Sequence, residues 1–385
     1  MDFSIDDELL AMKEEARKFT DKEIGPNADK WDEEHHFPLD VIKRMGELGF
    51  YGTPIPEAYG GTDVGFLAQT LICEEISRGS SSIRVAFNTQ CLGTALSILR
   101  HGTDEQKKKW IPPLINGEQI GCFAISEPNS GSDVMSMKTR AERKGDGWVL
   151  NGSKIWISFA SRADLGVVYA YTDRDKGSKG LSAFVVDMHA DGVQASDLDK
   201  LGTRSSPTSE IAFDDVVLPA DALLGQEGDG AKIVFGSLNQ TRLCCAAGGV
   251  GLAQACLDAA VQYCNEREQF GRPVGQFQMN QALIAEMSAQ IEAARMLLYR
   301  SAWQKDQGQL GNVLETSYAK YSASLAATQC AEIAMRILGS YGYSTEYPVA
   351  RFHRDAILYQ IVEGTTNIQK MIISNDLLGY RKANR

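Results

Sequence analysis

The apolar residues of this 385-residue chain change their spacing twice, and that double change limits the folds open to it. Up to about residue 120 they recur with a period near 3.6: Leu9, Leu10, Met12 and Ala16, then Val41, Ile42, Met45 and Leu48, then Leu67, Leu71, Ile72 and Ile76. Gly25-Pro26, Pro54, Gly60-Gly61 and Pro112-Pro113 punctuate these helical stretches. From about 121 to 235 short strand-like runs replace them: Trp148 to Leu150, Ile155 to Ile157, Gly166 to Tyr171, Leu181 to Val186 and Ile211 to Phe213. Gly, Asp, Asn and Ser clusters separate the runs, which suits a small barrel or sandwich better than a βαβ sheet. Beyond about 230 long periodic segments near 231–265, 277–307 and 311–337 predict a helical bundle. The expected class is α+β: an N-terminal helical domain over 1–121, a small β-barrel or sandwich over 122–232, and a C-terminal four-helix bundle over 233–385.

Charge narrows the partners. Asp and Glu total 50 against 39 Lys and Arg, a net charge of −11, which argues against a nucleic-acid binder. The longest apolar stretch, Leu243 to Leu257, contains Gln254 and lies between Arg242 and Asp258, so it is read as a buried helix and no membrane span is expected. The N-terminus opens on an acidic amphipathic pattern, with no signal or transit peptide expected. The eight cysteines form no CxxC pair and the five histidines no metal spacing. Reduced core cysteines in a cytosolic protein without a metal are the expectation.

The usual signatures of Rossmann, P-loop and serine-hydrolase chemistry are missing; Gly249-Val250-Gly251 breaks the dinucleotide pattern at Gln254. Two segments are hard to explain as packing alone. Phe123 to Asp133 is dense in Ser, Asn and Gly, offering hydroxyls and backbone N–H groups for a polar ring edge or a phosphate. In Ile361 to Ile368 a lone carboxylate, Glu363, stands between an apolar run and a Gly-Thr-Thr-Asn loop able to cap a helix. Buried there it suits a general base. By local sequence alone, a turn-rich entry to the β domain and a solvated Glu at a helix start remain open.

Further pieces stand in a fixed order around these two: Met45 to Phe50 leading to Ile55 to Gly61, Ile125 to Asp133, Asn151 to Ser158, Glu266 to Gly271, Gly342 to Pro348 and Glu363-Gly364-Thr365. Together they resemble the acyl-CoA dehydrogenase family over nearly the whole chain, with the α, β and α-bundle domains already expected. The resemblance implies FAD-dependent α,β-dehydrogenation of a coenzyme A thioester in a homotetramer, with electrons passing to an electron-transferring flavoprotein. Glu363 is implied as the base that removes the α-proton. Some relatives carry their base next to the CoA-binding Arg, a place held here by Thr241 beside Arg242. Implied flavin contacts are Phe123, Ile125, Ser126, Gly131, Ser132, Trp156, Ile157, Ser158, Arg267, Phe270, Gln278, Arg336, Gly339, Thr365, Thr366 and Asn367. Arg267 and Gln278 are expected to reach the FAD of a neighbouring subunit. On the thioester side the resemblance implies Arg84, Val85, Ser132, Asn239, Arg242, Val362 and Gly364.

Arg84 bears on the acyl chain. It lies among apolar neighbours in Ser82 to Phe87, and a buried Arg needs an anion. It could reach solvent or an internal Asp, or fork onto a carboxylate at the far end of the acyl chain. Glutaryl-CoA dehydrogenases of the family use an Arg so placed. Most of the family has Tyr where Val362 stands, and the decarboxylating glutaryl-CoA dehydrogenases also tend to carry Glu where Ser77 stands. Those losses predict a firmer hold on the distal carboxylate and a reaction stopping at glutaconyl-CoA. A decarboxylating enzyme, a dehydrogenase for another dicarboxylic or cyclic acyl-CoA, an oxidase and a non-catalytic CoA-binding helical module remain alternatives. Phe159 follows Ser158 with no evident reason.

Overall fold

A computed structural model of the chain describes residues 4–380. The first zone is helical: α1 (Asp7–Phe19), α2 (Ala28–Glu33), α3 (Leu39–Glu47), α4 (Phe66–Gly79), α5 (Ser81–Ala86), α6 (Leu96–His101) and α7 (Asp104–Ile115). Between α5 and α6 the backbone is π-helical over Phe87–Ala95. Thr103 starts α7 through a capping box: its hydroxyl accepts from Gln106 N at 3.2 Å and its own N–H donates to Gln106 Oε1 at 2.9 Å.

The middle zone is one sheet built from β1 (Gly121–Ala124), β2 (Arg140–Lys144), β3 (Gly147–Ser158), β4 (Leu165–Tyr171), β5 (Leu181–Asp187), β6 (Val193–Asp197), β7 (Thr208–Leu218) and β8 (Leu223–Leu224). Its order is β6-β7-β3-β2-β4-β5-β8, with β1 beside β4, and the path does not close on itself. Trp148 to Leu150 and Ile155 to Ile157 are parts of one strand, because Asn151 and Gly152 stay in the ladder through a register shift. The charged strand β2 has only Ala141 buried; pairing with β3, not its own composition, makes it a strand.

The third zone comprises α8 (Gly230–Glu266), the hairpin β9 (Glu268–Gln269) and β10 (Arg272–Pro273), α9 (Gln278–Asp306), α10 (Val313–Leu338), α11 (Val349–Ala356), α12 (Leu358–Ile361) and α13 (Thr366–Leu377). By length and composition α8 passes the test for a membrane span, which the sequence suggested for no segment. However, 72% of its apolar window is buried in the protein, as in a core helix. It packs against α4, α9 and α10. A Cβ at Gly251 would stand 2.2 Å from the Glu74 carbonyl of α4, and one at Gly249 2.9 Å from the Ala323 carbonyl of α10. These glycines set how closely the helices approach.

Candidate active site

Glu363 lies where the chain leaves α12 and turns into α13. Thr365 caps α13, its hydroxyl accepting from Ile368 N at 3.2 Å. Glu363 and Gly364 both lie in the left-handed region, at φ 57° and 85°. For a glutamate that backbone is strained and persists only if its surroundings hold it. Arg242 Nε donates to the Glu363 carbonyl at 3.0 Å. Lys320 Nζ and Gln369 Nε2 donate to the Gly364 carbonyl at 2.8 and 2.9 Å. The carboxylate is half-buried rather than fully enclosed. Asn88 Nδ2 donates to its Oε1 at 2.8 Å and the Thr241 hydroxyl to its Oε2. Thr241 thus contributes a hydrogen bond to the base at the position where some relatives carry the base itself.

Arg84 projects from α5 and is 2% exposed. It reaches neither solvent nor an Asp, and no carboxylate among the described residues lies within 4.0 Å of it. Its Nη1 donates to Asn88 Oδ1 at 3.0 Å, and its guanidinium carbon lies 5.3 Å from the centre of the Tyr359 ring. Its Nε is buried with no partner. Gly248 leaves room for it, since a Cβ there would stand 2.7 Å from Nε. Ser77 is engaged elsewhere: its hydroxyl donates to the Gly248 carbonyl at 2.8 Å and lies 3.1 Å from the Tyr359 hydroxyl. Val85 is buried beside Arg84 in sequence, and Val362 is half-buried next to the base.

Burial pushes the Arg242 guanidinium and the Lys320 ammonium below their ordinary values, with Glu363 opposing the shift in both. Two buried cations, Arg242 and Lys320, therefore stand beside one carboxylate, and Asn88 links it to a third, Arg84.

A second cluster lies at the end of β3. Between Lys154 and Ile157 the ladder shifts register, and Trp156 takes φ 63° with its side chain 59% exposed. Lys154 is fully buried, donating to the Ile125 carbonyl at 3.0 Å and to Glu127 Oε1 at 2.8 Å. Burial pulls its ammonium down to about 8 against the pull of Glu127. Glu127 also accepts from the backbone of Thr139 and Lys138, so this ion pair pins both ends of the loop carrying Ser126, Gly131 and Ser132. Ser126 is half-buried, Gly131 and Ser132 are exposed, and nothing lies within 4 Å of a Cβ at Gly131. An open indole on strained backbone beside a hydroxyl-bearing loop fits a flat ring with polar edges. Phe123 is half-buried, Ile125 and Ile157 are buried, and Ser158 is half-buried. The Phe159 ring lies 4.8 Å from that of Phe37, so its role is packing between domains.

Arg267 places its guanidinium 5.5 Å from the Tyr341 ring centre. Phe270, at the β9–β10 tip, is 94% exposed, and Gln278 opens α9. Arg336 is exposed, 3.8 Å from Glu332, and Gly339 ends α10 at φ 62°. Thr366 and Asn367 form the first turn of α13. Asn239 donates to the Leu310 carbonyl at 3.0 Å, leaving its Oδ1 buried and unpaired. All eight cysteines are free and buried, and no metal-ligand group occurs among the described residues. Sequence reasoning missed Asn88, Tyr359 and Lys320. Each is a single residue on a helix or π-turn, with no motif of its own, brought in by packing of distant segments.

Three family models match: acyl-CoA dehydrogenase N-terminal domain over residues 6–118, middle domain over 122–216 and C-terminal domain over 228–378. The chain is 57% identical over 389 residues to a glutaryl-CoA dehydrogenase of Desulfococcus multivorans, covering 100% of both. It is 42% identical to a mitochondrial isovaleryl-CoA dehydrogenase of Solanum tuberosum, covering 97% of this chain and 91% of that one. A solved glutaryl-coenzyme A dehydrogenase in complex with glutaryl-CoA superposes with a TM-score of 0.98 at 57% identity, covering 100% of this chain and 98% of that one. Other solved structures alike in fold contain FAD or FADH2. The chain belongs to the acyl-CoA dehydrogenase family, as a flavin-dependent oxidoreductase that uses FAD.

Proposed function

We propose that this protein oxidises glutaryl-CoA to glutaconyl-CoA and does not decarboxylate it. The observation that carries this reading is Arg84: a buried guanidinium without a carboxylate partner, joined through one amide to Glu363. In this reading a carboxylate at the far end of the acyl chain forks onto Arg84 and fixes the α-carbon near Glu363. Glu363 takes the α-proton, which turns its carboxylate into the neutral acid. FAD supplies the acceptor for the hydride that leaves Cβ. Arg242 and Lys320, through the Glu363 and Gly364 carbonyls, keep the base from swinging away as charge builds on the thioester. Ser126, Ser132, Trp156 and Ser158 would hold the flavin, with Thr365 to Asn367 at the start of α13.

Loss of CO2 requires the carboxylate's electrons to move onto carbon. A guanidinium with no competing carboxylate, with Ser77 and Val362 where a Glu and a Tyr could stand, holds those electrons where they are. The identity to a glutaryl-CoA dehydrogenase over the full chain supports the substrate. A 37% identical match, TM-score 0.97, to a chain in a structure of the electron transferring flavoprotein of Acidaminococcus fermentans supports such a protein as electron acceptor; it covers 99% of this chain and 100% of that one. A homotetramer in the bacterial cytoplasm completes the proposal.

Anaerobic titration with glutaryl-CoA and with butyryl-CoA, followed by mass spectrometry of the product, is the test. Glutaryl-CoA bleaches the flavin and yields glutaconyl-CoA. Stoichiometric crotonyl-CoA and CO2 would overturn the non-decarboxylating reading. Arg84→Gln raises KM and lowers kcat/KM by about 10- to 100-fold, mainly for the dicarboxylate, as expected for one charge-assisted contact. An equal loss with butyryl-CoA would remove Arg84 from the reading of the acyl chain.

A further inference from the structure

Arg84 and Glu363, set at the far and reacting ends of the acyl site, are tied together by one side chain. Asn88 Oδ1 accepts from Arg84 Nη1 at 3.0 Å, and Asn88 Nδ2 donates to Glu363 Oε1 at 2.8 Å. A guanidinium can only donate and an ionised carboxylate can only accept, so the amide has a single orientation that satisfies both. The amide is planar and rigid, so one end cannot shift without moving the other. Asn88 sits at the start of the π-helical segment Phe87–Ala95, a wide turn of the kind that gathers at functional sites. The other groups on Glu363, the Thr241 hydroxyl and Arg242 Nε, make no hydrogen bond to Arg84.

We propose that Asn88 is a positioning residue that makes proton abstraction by Glu363 depend on what Arg84 holds. A carboxylate arriving at Arg84 competes with Asn88 Oδ1 for the guanidinium N–H groups. The amide yields, its Nδ2 releases Glu363 Oε1, and the freed carboxylate can turn onto the α-proton. Selectivity for a dicarboxylic acyl-CoA is thereby expressed in the rate of the chemical step as well as in binding. This rests on Arg84 reading the distal carboxylate, as proposed above.

Stopped-flow flavin reduction at saturating glutaryl-CoA and butyryl-CoA tests it in the FAD-loaded protein and in Asn88→Ala and Asn88→Asp. FAD content and melting temperature report folding. The wild type has the higher limiting rate with glutaryl-CoA. Asn88→Ala raises the butyryl-CoA rate about tenfold or more, the size of one hydrogen bond to a charged group, and changes the glutaryl-CoA rate less than about threefold, so the preference collapses. Asn88→Asp keeps an acceptor for Arg84 but sets a like charge against the base, and slows both substrates. If Asn88→Ala slows both substrates alike, Asn88 only supports the structure and the proposal fails, with the reading of Arg84 intact. A wild type that prefers glutaryl-CoA by binding alone overturns it too. No preference in either quantity overturns the reading of Arg84 and the proposal together.

Discussion

Glu363 joins a strained backbone to a carboxylate whose two oxygens are both engaged, by Asn88 and Thr241. A residue kept at φ 57° at the cost of conformational energy has a position that matters, and here it is the carboxylate that acts on both Arg242 and Lys320. Glu363→Gln keeps the size and can still accept from one of Asn88 and Thr241 through its single carbonyl oxygen, but it cannot take up a proton. Flavin reduction by glutaryl-CoA should fall by about 10²- to 10⁴-fold in that variant, the range for a general base, with FAD retained. Bleaching at an undiminished rate would assign the base elsewhere.

Among the elements, β3 does the most to shape the cofactor side. The register shift before Ile157 turns Trp156 outward, and Lys154 just before it reaches back to the loop of Ile125 and Glu127. The pair is buried, so removing one partner leaves an uncompensated charge. Glu127→Gln should destabilise the protein by about 3–5 kcal/mol and release the loop. The measurements are the melting temperature and the fraction of FAD retained on gel filtration; an unchanged value of both would mean that the pair is dispensable. The short hairpin β9–β10 has the opposite character, with Phe270 94% exposed at its tip and its ring 6.0 Å from that of Phe277, centre to centre.

At the scale of the whole molecule that exposed hairpin bears on assembly. An exposed phenyl ring on the hairpin between Arg267 and Gln278 suits a surface covered by another subunit. Phe270→Asp should lower the mass measured by light scattering and weaken FAD retention in the same variant. An unchanged mass would place the subunit contact elsewhere. Stability also carries a pH signature. Burial, aided by Arg100 and Arg242, pulls the Lys305 ammonium down to about 7, from 10.5. Between those values the unfolded chain binds the proton and the folded one does not, so this group makes the protein more stable as pH rises from 7 toward 10 and less stable as pH falls through 7. Lys305→Met should flatten the rise in melting temperature between pH 7 and 9 relative to the wild type; parallel curves would show that Lys305 does not contribute.

The sequence by itself determined the order of zones, the long helices and the chemistry-bearing segments. Apolar period, glycine and proline are local properties, and a 37-residue helix such as α8 is legible because its pattern repeats over many turns. The position of Glu363 in the Glu-Gly-Thr run, and the isolation of Arg84 among apolar neighbours, were legible for the same reason. Tertiary structure alone decided what those two groups touch. Asn88, Tyr359 and Lys320 come from three separate segments, and hydrogen bonds across 275 positions of chain, as between Asn88 and Glu363, leave no periodic trace. Strand β2 and the open path of the sheet were likewise set by pairing partners rather than by composition. Local interactions write themselves into sequence spacing; the meeting of distant side chains depends on packing, where many sequences could satisfy the same contact.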